Sequence, residues 1–340
     1  MAHTNFFSVI FLALILCGCN NNSDANKKYD VRDNFSNVKK EIKEIDIKEK
    51  EISIFGTPYI LNGYLVISDY KSPDKLIHIF HKNTFKYITS IGDRGEGPNE
   101  IANMGSIIPN EKENSFFLID YGKQRILNYS IDSILVNASY IPKEKAVINN
   151  SEFPSHFEYI NDTLSYALFI KRLDDGDYKP VVSKWNMQTG EYTFMNYTGH
   201  PDLKKKRVSF SVSFDDEIYA EAYWYNDLIT ICSLDGNLKY SLYGANWNNK
   251  NTNKERYFRN ITFCNNRIIA SYLGDNRIED NNRVNYPTKF VVFDLEGNHI
   301  STLETGHPII TFCCDKENNR IIMTLDDDMQ FAYLDLNNII

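Results

Sequence analysis

No stretch of the chain is apolar for long enough to form a membrane-crossing helix. The most apolar run, Phe6 to Leu16, is eleven residues long, and a helix through the hydrocarbon core needs about 20. Basic clusters are equally scarce. The formal charge is −8 and the only dense basic run is Lys204-Lys205-Lys206-Arg207. A nucleic-acid binder needs a clustered cationic face to neutralise phosphates, so no nucleic-acid partner is expected. The run reads as a solvated loop after Pro201, with contact to an anionic partner as the alternative. The six cysteines show no paired C-x2-C spacing for zinc. There is no G-x-S-x-G elbow, no H-E-x-x-H and, from Val38 onward, almost no helical periodicity. No catalytic set, metal or cofactor is expected.

What the chain has instead is a repeat. Ile261-Thr262-Phe263-Cys264 followed by Arg267-Ile268-Ile269 returns as Ile310-Thr311-Phe312-Cys313 followed by Arg320-Ile321-Ile322. Leu65 to Tyr70 returns as Phe117 to Tyr121, each copy ending in Asp-Tyr. Both spacings are near 50 residues, a propeller-like period. Short alternating runs closed by Asn-Gly, Asp-Gly and Glu-Gly signals read as hairpins, Asp235-Gly236-Asn237 and Glu296-Gly297-Asn298 being equivalent outer turns. The fold expected is all-β, a six-bladed propeller of four-stranded antiparallel blades over residues 38–340. Its blades run from Pro58 to Gly92, Gly105 to Ile141, His156 to Tyr197, Ser209 to Gly244, Arg259 to Glu304 and Ile309 to Leu336. In the second, Leu135 to Ile141 reads as the outer strand. The last blade lacks a fourth strand, which Val38 to Ile47 can supply, closing the ring and removing open sheet edges.

At the N-terminus, Leu16-Cys17-Gly18-Cys19 after the apolar run looks like a bacterial lipobox. Residues 1–18 then form a signal peptide, Cys19 is the lipidated residue, and the polar residues 19–37 read as a tether. Asn20 following the cysteine implies the outer membrane of a Gram-negative cell envelope. Of the remaining cysteines, Cys232, Cys264 and Cys313 lie in apolar strand-like runs and, with Cys314, read as buried free thiols. A Cys313-Cys314 disulfide is the alternative, though strand neighbours face opposite ways.

The stretch Gly92-Asp93-Arg94-Gly95-Glu96-Gly97-Pro98-Asn99-Glu100, followed by Phe117 to Asp120 and Gln124-Arg125-Ile126-Leu127, resembles NHL-type repeats. It is closer still to the TolB-like six-bladed propeller lipoproteins of Gram-negative bacteria, which carry a Gly-x-x-Gly-x-Gly-Pro-x-Glu signature. That resemblance implies the fold and leaves the chemistry open. The run lacks the Lys-Ser/Thr and following helix of a phosphate loop. Gly92, Gly95, Gly97, Pro98 and Glu100 read as a structural crossover between blades, with ligand contact as the alternative.

In a four-strand meander the connections from strand four to the next blade and from strand two to three share one face. Arg94 and Glu96 should therefore stand beside Asp69, Tyr70, Asp120 and Tyr121, a charged and aromatic rim suited to a ligand. The two aspartates also fit a turn-capping role. The reading favoured is a lipid-anchored, monomeric binding or scaffold propeller recognising a protein, peptide or glycan at one face. The alternative is a metal-assisted hydrolase or lyase, lactonase-like, with its site in the channel.

Overall fold

Side chains alternate across a strand, so each run of about six residues with apolar positions on both faces must be covered on both sides. Stacking such sheets around an axis does this. A computed structural model of the chain describes residues 25–137, 139–148, 154–172, 176, 178–203, 206–250, 254–278 and 283–340. Six antiparallel sheets follow one another around the ring. Their first strands are Thr57–Leu61, Met104–Asn110, Phe157–Asn161, Val208–Ser213, Glu255–Cys264 and Ile309–Asp315, and these line the centre. The core lies between neighbouring sheets, where aromatic pairs such as Phe117–Tyr159 (4.7 Å) and Phe290–Phe312 (4.8 Å) interlock successive blades.

The turns after the first strands explain the repeat locally. Asn62, Asn114, Asn265 and Asn319 all sit there with φ between 46 and 52°, a left-handed conformation that Asn tolerates better than most residues. The turns also speak to one another. Asn62 donates to the Glu111 carbonyl and to Asn114 Oδ1, both at 3.0 Å, and Asn265 donates to Asn319 Oδ1 at 3.0 Å. One asparagine thus both closes a hairpin and fastens it to the next blade.

Ring closure is as expected: Ile42–Glu44 pairs antiparallel with Phe331–Asp335, and Val38, Ile42 and Ile45 are buried against the last blade. Three other expectations are corrected. The segment read as a tether is, from residue 26 onward, part of the fold. Asn26–Tyr29 adds a parallel fifth strand to the outer edge of the fourth blade, and Phe35–Asn37 does the same on the fifth. Polar composition concealed this because an outermost strand needs backbone pairing more than apolar side chains, and Tyr29 alone supplies the anchor, 7% exposed. Residues 19–24, with Cys19, lie outside the described residues.

In the second blade the outer strand is Lys143–Val147, while Ile131–Val136 is a short helix. The Ser130 hydroxyl accepts from the Ser133 amide as N-cap, and Ile131 and Ile134, spaced to share one helical face, are buried. Finally, Cys264 and Cys314 are joined by a disulfide, their Cα atoms 5.6 Å apart, linking the first strands of the fifth and sixth blades. Because adjacent side chains face opposite ways, only one of Cys313 and Cys314 can meet Cys264. Cys232 and Cys313 stay free.

Candidate functional site

The glycine-rich crossover folds back on its own glutamate. Gly92 and Gly95 have φ of +78 and +155°, and a Cβ on Gly95 would lie 2.0 Å from Glu100 Oε2. That oxygen accepts the Gly97 amide at 2.7 Å. The loop's carbonyls are held by cations of the next blade: Lys123 donates to Gly97 and Glu100, and Arg125 to Pro98 (3.2 Å) and Glu100 (2.9 Å). Pro98 is exposed, and its carbonyl is its link to this network. The signature therefore builds a rigid junction between blades one and two.

The predicted rim divides into two kinds of residue. Asp69 and Asp120 are 1% and 0% exposed. Asp69 accepts from the Ser53 amide and hydroxyl at 2.7 and 2.6 Å and from the Lys71 amide. Asp120 accepts from the Asn103 amide at 3.1 Å and faces Arg125 Nε at 3.5 Å. Both carboxylates fasten incoming loops, so their lone pairs are engaged by the fold. Arg94 does share a face with Tyr70, its guanidinium reaching the Tyr70 and Ser72 carbonyls at 3.5 and 3.3 Å. Glu96 is exposed beside it. Tyr121 donates to the Ser155 carbonyl at 3.1 Å. Tyr70, 47% exposed and packed on Phe55, is the rim residue that lines the central cavity.

That cavity, about 1050 Å³, is walled by all six first strands. On the side of blades four and five its mouth is cationic and aromatic. Arg207 lies 4.6 Å above the Trp224 ring and Arg259 4.8 Å above Tyr286, while Arg256, buried behind the lining, is 4.9 Å from the Trp224 ring. Trp224 is fixed by its Nε1–H to Ser209 Oγ (2.8 Å), and Arg259 by its Nε–H to the Ile310 carbonyl (2.5 Å). Burial pulls Arg259 and Arg256 below the ordinary guanidinium value, yet an arginine at that level keeps its charge. Among the described residues none of the three forms an ion pair, and Arg256 Nε and Asn260 Oδ1 are buried without a hydrogen-bond partner. Among the described residues the wall's one carboxylate is Glu158, 3.8 Å from His156 Nε2.

Sequence reasoning missed this wall. The reading of the basic run as a solvated loop fails for Lys206 and holds for Arg207, which is exposed at the mouth. Lys206 is fully buried against Glu221 at 2.5 Å, and Arg207 lines the cavity. Lys204 and Lys205 lie outside the described residues. A usable signal existed in the repeat itself: Arg259, two residues before Ile261, corresponds to Pro308 two before Ile310. A charged residue that breaks a repeat at the start of an inner strand points to the channel.

The sequence profile of DUF5128, described as a 6-bladed beta-propeller, matches residues 47–262, well over half the chain. The protein belongs to this DUF5128 propeller family. No curated protein matches the sequence significantly. Among solved structures the chain is similar to a DUF4221 member from Bacteroides vulgatus (TM-score 0.57, 11% identity, covering 86% of this chain and 94% of that one). It is similar also to the RRP9 WD40 repeats (TM-score 0.56, 7%, 86% and 97%). A gluconolactonase from Xanthomonas campestris matches with TM-score 0.50 and 12% identity over 82% and 84%. Such identities establish a shared fold, and propellers host many functions. Within this DUF5128 protein no helix of the described residues is long and apolar enough to cross a membrane. Nor do those residues place three or more His, Cys, Asp or Glu side chains together for a metal ion.

Proposed function

We propose that this is an exported binding propeller of the TolB-like lipoprotein kind, held to the outer membrane through lipidated Cys19, that takes its ligand into the central cavity. The observation that supports it is the mouth itself: Arg207, Arg259 and Trp224 face a large cavity from one side, with Tyr70 on the same rim and exposed. Arg207 is exposed at the mouth and Arg259 half-buried at the wall, neither in an ion pair among the described residues, so their N–H groups are open to an anionic group that arrives. A photo-crosslinking amino acid at position 70 should capture envelope material, whereas one at Tyr178, more exposed and on the third blade, should not. Equal labelling at both positions refutes a cavity site.

The gluconolactonase likeness keeps a hydrolytic reading in view, with Glu158 and His156 as its acid and base. Lactone turnover lost in Glu158→Gln and retained in Arg207→Gln would favour that reading over simple binding.

A further inference from the structure

Resting on the binding reading above, we infer that the ligand is a carbohydrate bearing an oxyanion, a carboxylate or a sulfate, seated on Arg207 and Arg259 with its sugar ring against Tyr70. The first support is charge without a counter-ion. The chain carries a formal −8, yet the mouth of its cavity presents guanidinium groups that no carboxylate meets among the described residues. A guanidinium held over an aromatic ring keeps N–H groups for a ligand, the terminal ones in Arg259, whose Nε–H is taken by the Ile310 carbonyl, and such groups match the two oxygens of a carboxylate or sulfate. Lys206 is no competitor for the charge because Glu221 already neutralises it.

The rest of the wall suits hydroxyl groups. Thr57, Ser106, Ser211, Thr262 and Thr311 bring hydroxyls to the cavity from five of the six first strands. Asn260 lines the same wall with a buried Oδ1 that lacks a donor among the described residues. Tyr70 is 47% exposed beside Phe55 with the Lys71 ammonium 5.3 Å from its ring centroid; with that flexible side chain swung out to solvent, the ring is a platform for the apolar C–H face of a pyranose. A charged group, several hydroxyls and one flat C–H face together describe an acidic sugar; an acidic peptide would instead pair with the open backbone edges of the first strands, and the test below separates the two.

The test is an array of immobilised glycans in matched neutral, uronate-bearing and sulfated forms, with tri-glutamate peptide alongside, probed with the detergent-solubilised full chain. We expect binding to acidic glycans over their neutral counterparts, the uronate and sulfate arms showing which oxyanion is taken. Arg207→Gln should weaken it about 10- to 100-fold, the loss of one hydrogen bond to a charged group, while Arg207→Lys should recover part. Arg259→Gln should act in the same direction, with circular dichroism confirming that both variants fold. Absence of any acidic-glycan binding, or tri-glutamate binding as tightly, overturns the inference. If neutral and acidic forms bind alike and Tyr70→Ala abolishes both, the cavity reading stands and the oxyanion does not.

Discussion

Replacing Tyr29 by Phe tests whether the N-terminal strands are part of the fold. The Tyr29 hydroxyl donates to Asp227 Oδ1 at 2.7 Å in a buried site, where Tyr272 Oη and the Asn246 amide donate to Oδ2 at 3.2 and 3.1 Å. Deleting one of three donors to a buried carboxylate should cost about 1–3 kcal/mol. At about 2 °C per kcal/mol for a chain of this size, Tm should fall by about 2–6 °C.

The loss should also depend on pH. Burial raises the Asp227 pKa above its ordinary 3.8, and the Tyr29 hydrogen bond opposes that rise. A carboxyl whose folded pKa is raised binds more protons when folded, so its contribution is fully present below pH 3.8 and is lost as pH rises through the folded value. Removing the tyrosine donor lifts that value further, so the variant should lose more at neutral pH than in acid, and the two proteins should converge as Asp227 protonates. Thermal melts by circular dichroism at pH 7 and pH 4.5 measure both effects, and Asp227→Asn should flatten the pH dependence. An unchanged Tm at neutral pH would mean that Asn26–Tyr29 is not docked and that the tether reading holds for it.

In the crossover, Gly95→Val forces a β-branched residue into a left-handed backbone and against Glu100, so urea titration should show a loss of more than about 1 kcal/mol. Arg94→Ala, at an exposed site with long bonds to two carbonyls, should change stability by less than about 0.5 kcal/mol. Cys264→Ser with Cys314→Ser opens a link across 50 residues and should lower stability by up to about 4 kcal/mol by the loop-entropy relation, read from denaturant melts with and without reductant. Cys19→Ser should abolish incorporation of labelled fatty acid and release the protein from the membrane fraction; unaltered fractionation would count against the anchor.

Local patterns carried much of the architecture. The near-50-residue period, the alternation along each strand and the turn residues Asn62, Gly236 and Gly297 are short-range properties, because hairpin geometry is dictated by residues within a few positions of one another. Closure by Val38 to Ile47 followed from counting strands. The second blade shows the limit of such reading: Leu135 and Val136 look like strand residues, but Ser130 caps a helix there and the buried positions are Ile131 and Ile134. The site was legible only in part. Tyr70 and the shared face of Arg94 came from topology, while Asp69 and Asp120, plausible as ligands in sequence, are occupied by backbone amides.

Tertiary structure alone decided the pairings that cross the ring. Tyr29 meets Asp227 across 198 residues, Cys264 selects Cys314 over its neighbour, and Arg207 leaves a basic run to lie on Trp224. None of these leaves a periodic trace, because each depends on where separate blades bring single side chains. Strand pattern builds a propeller from its sequence; what stands unpaired at the mouth of its channel is settled only when the blades close around it.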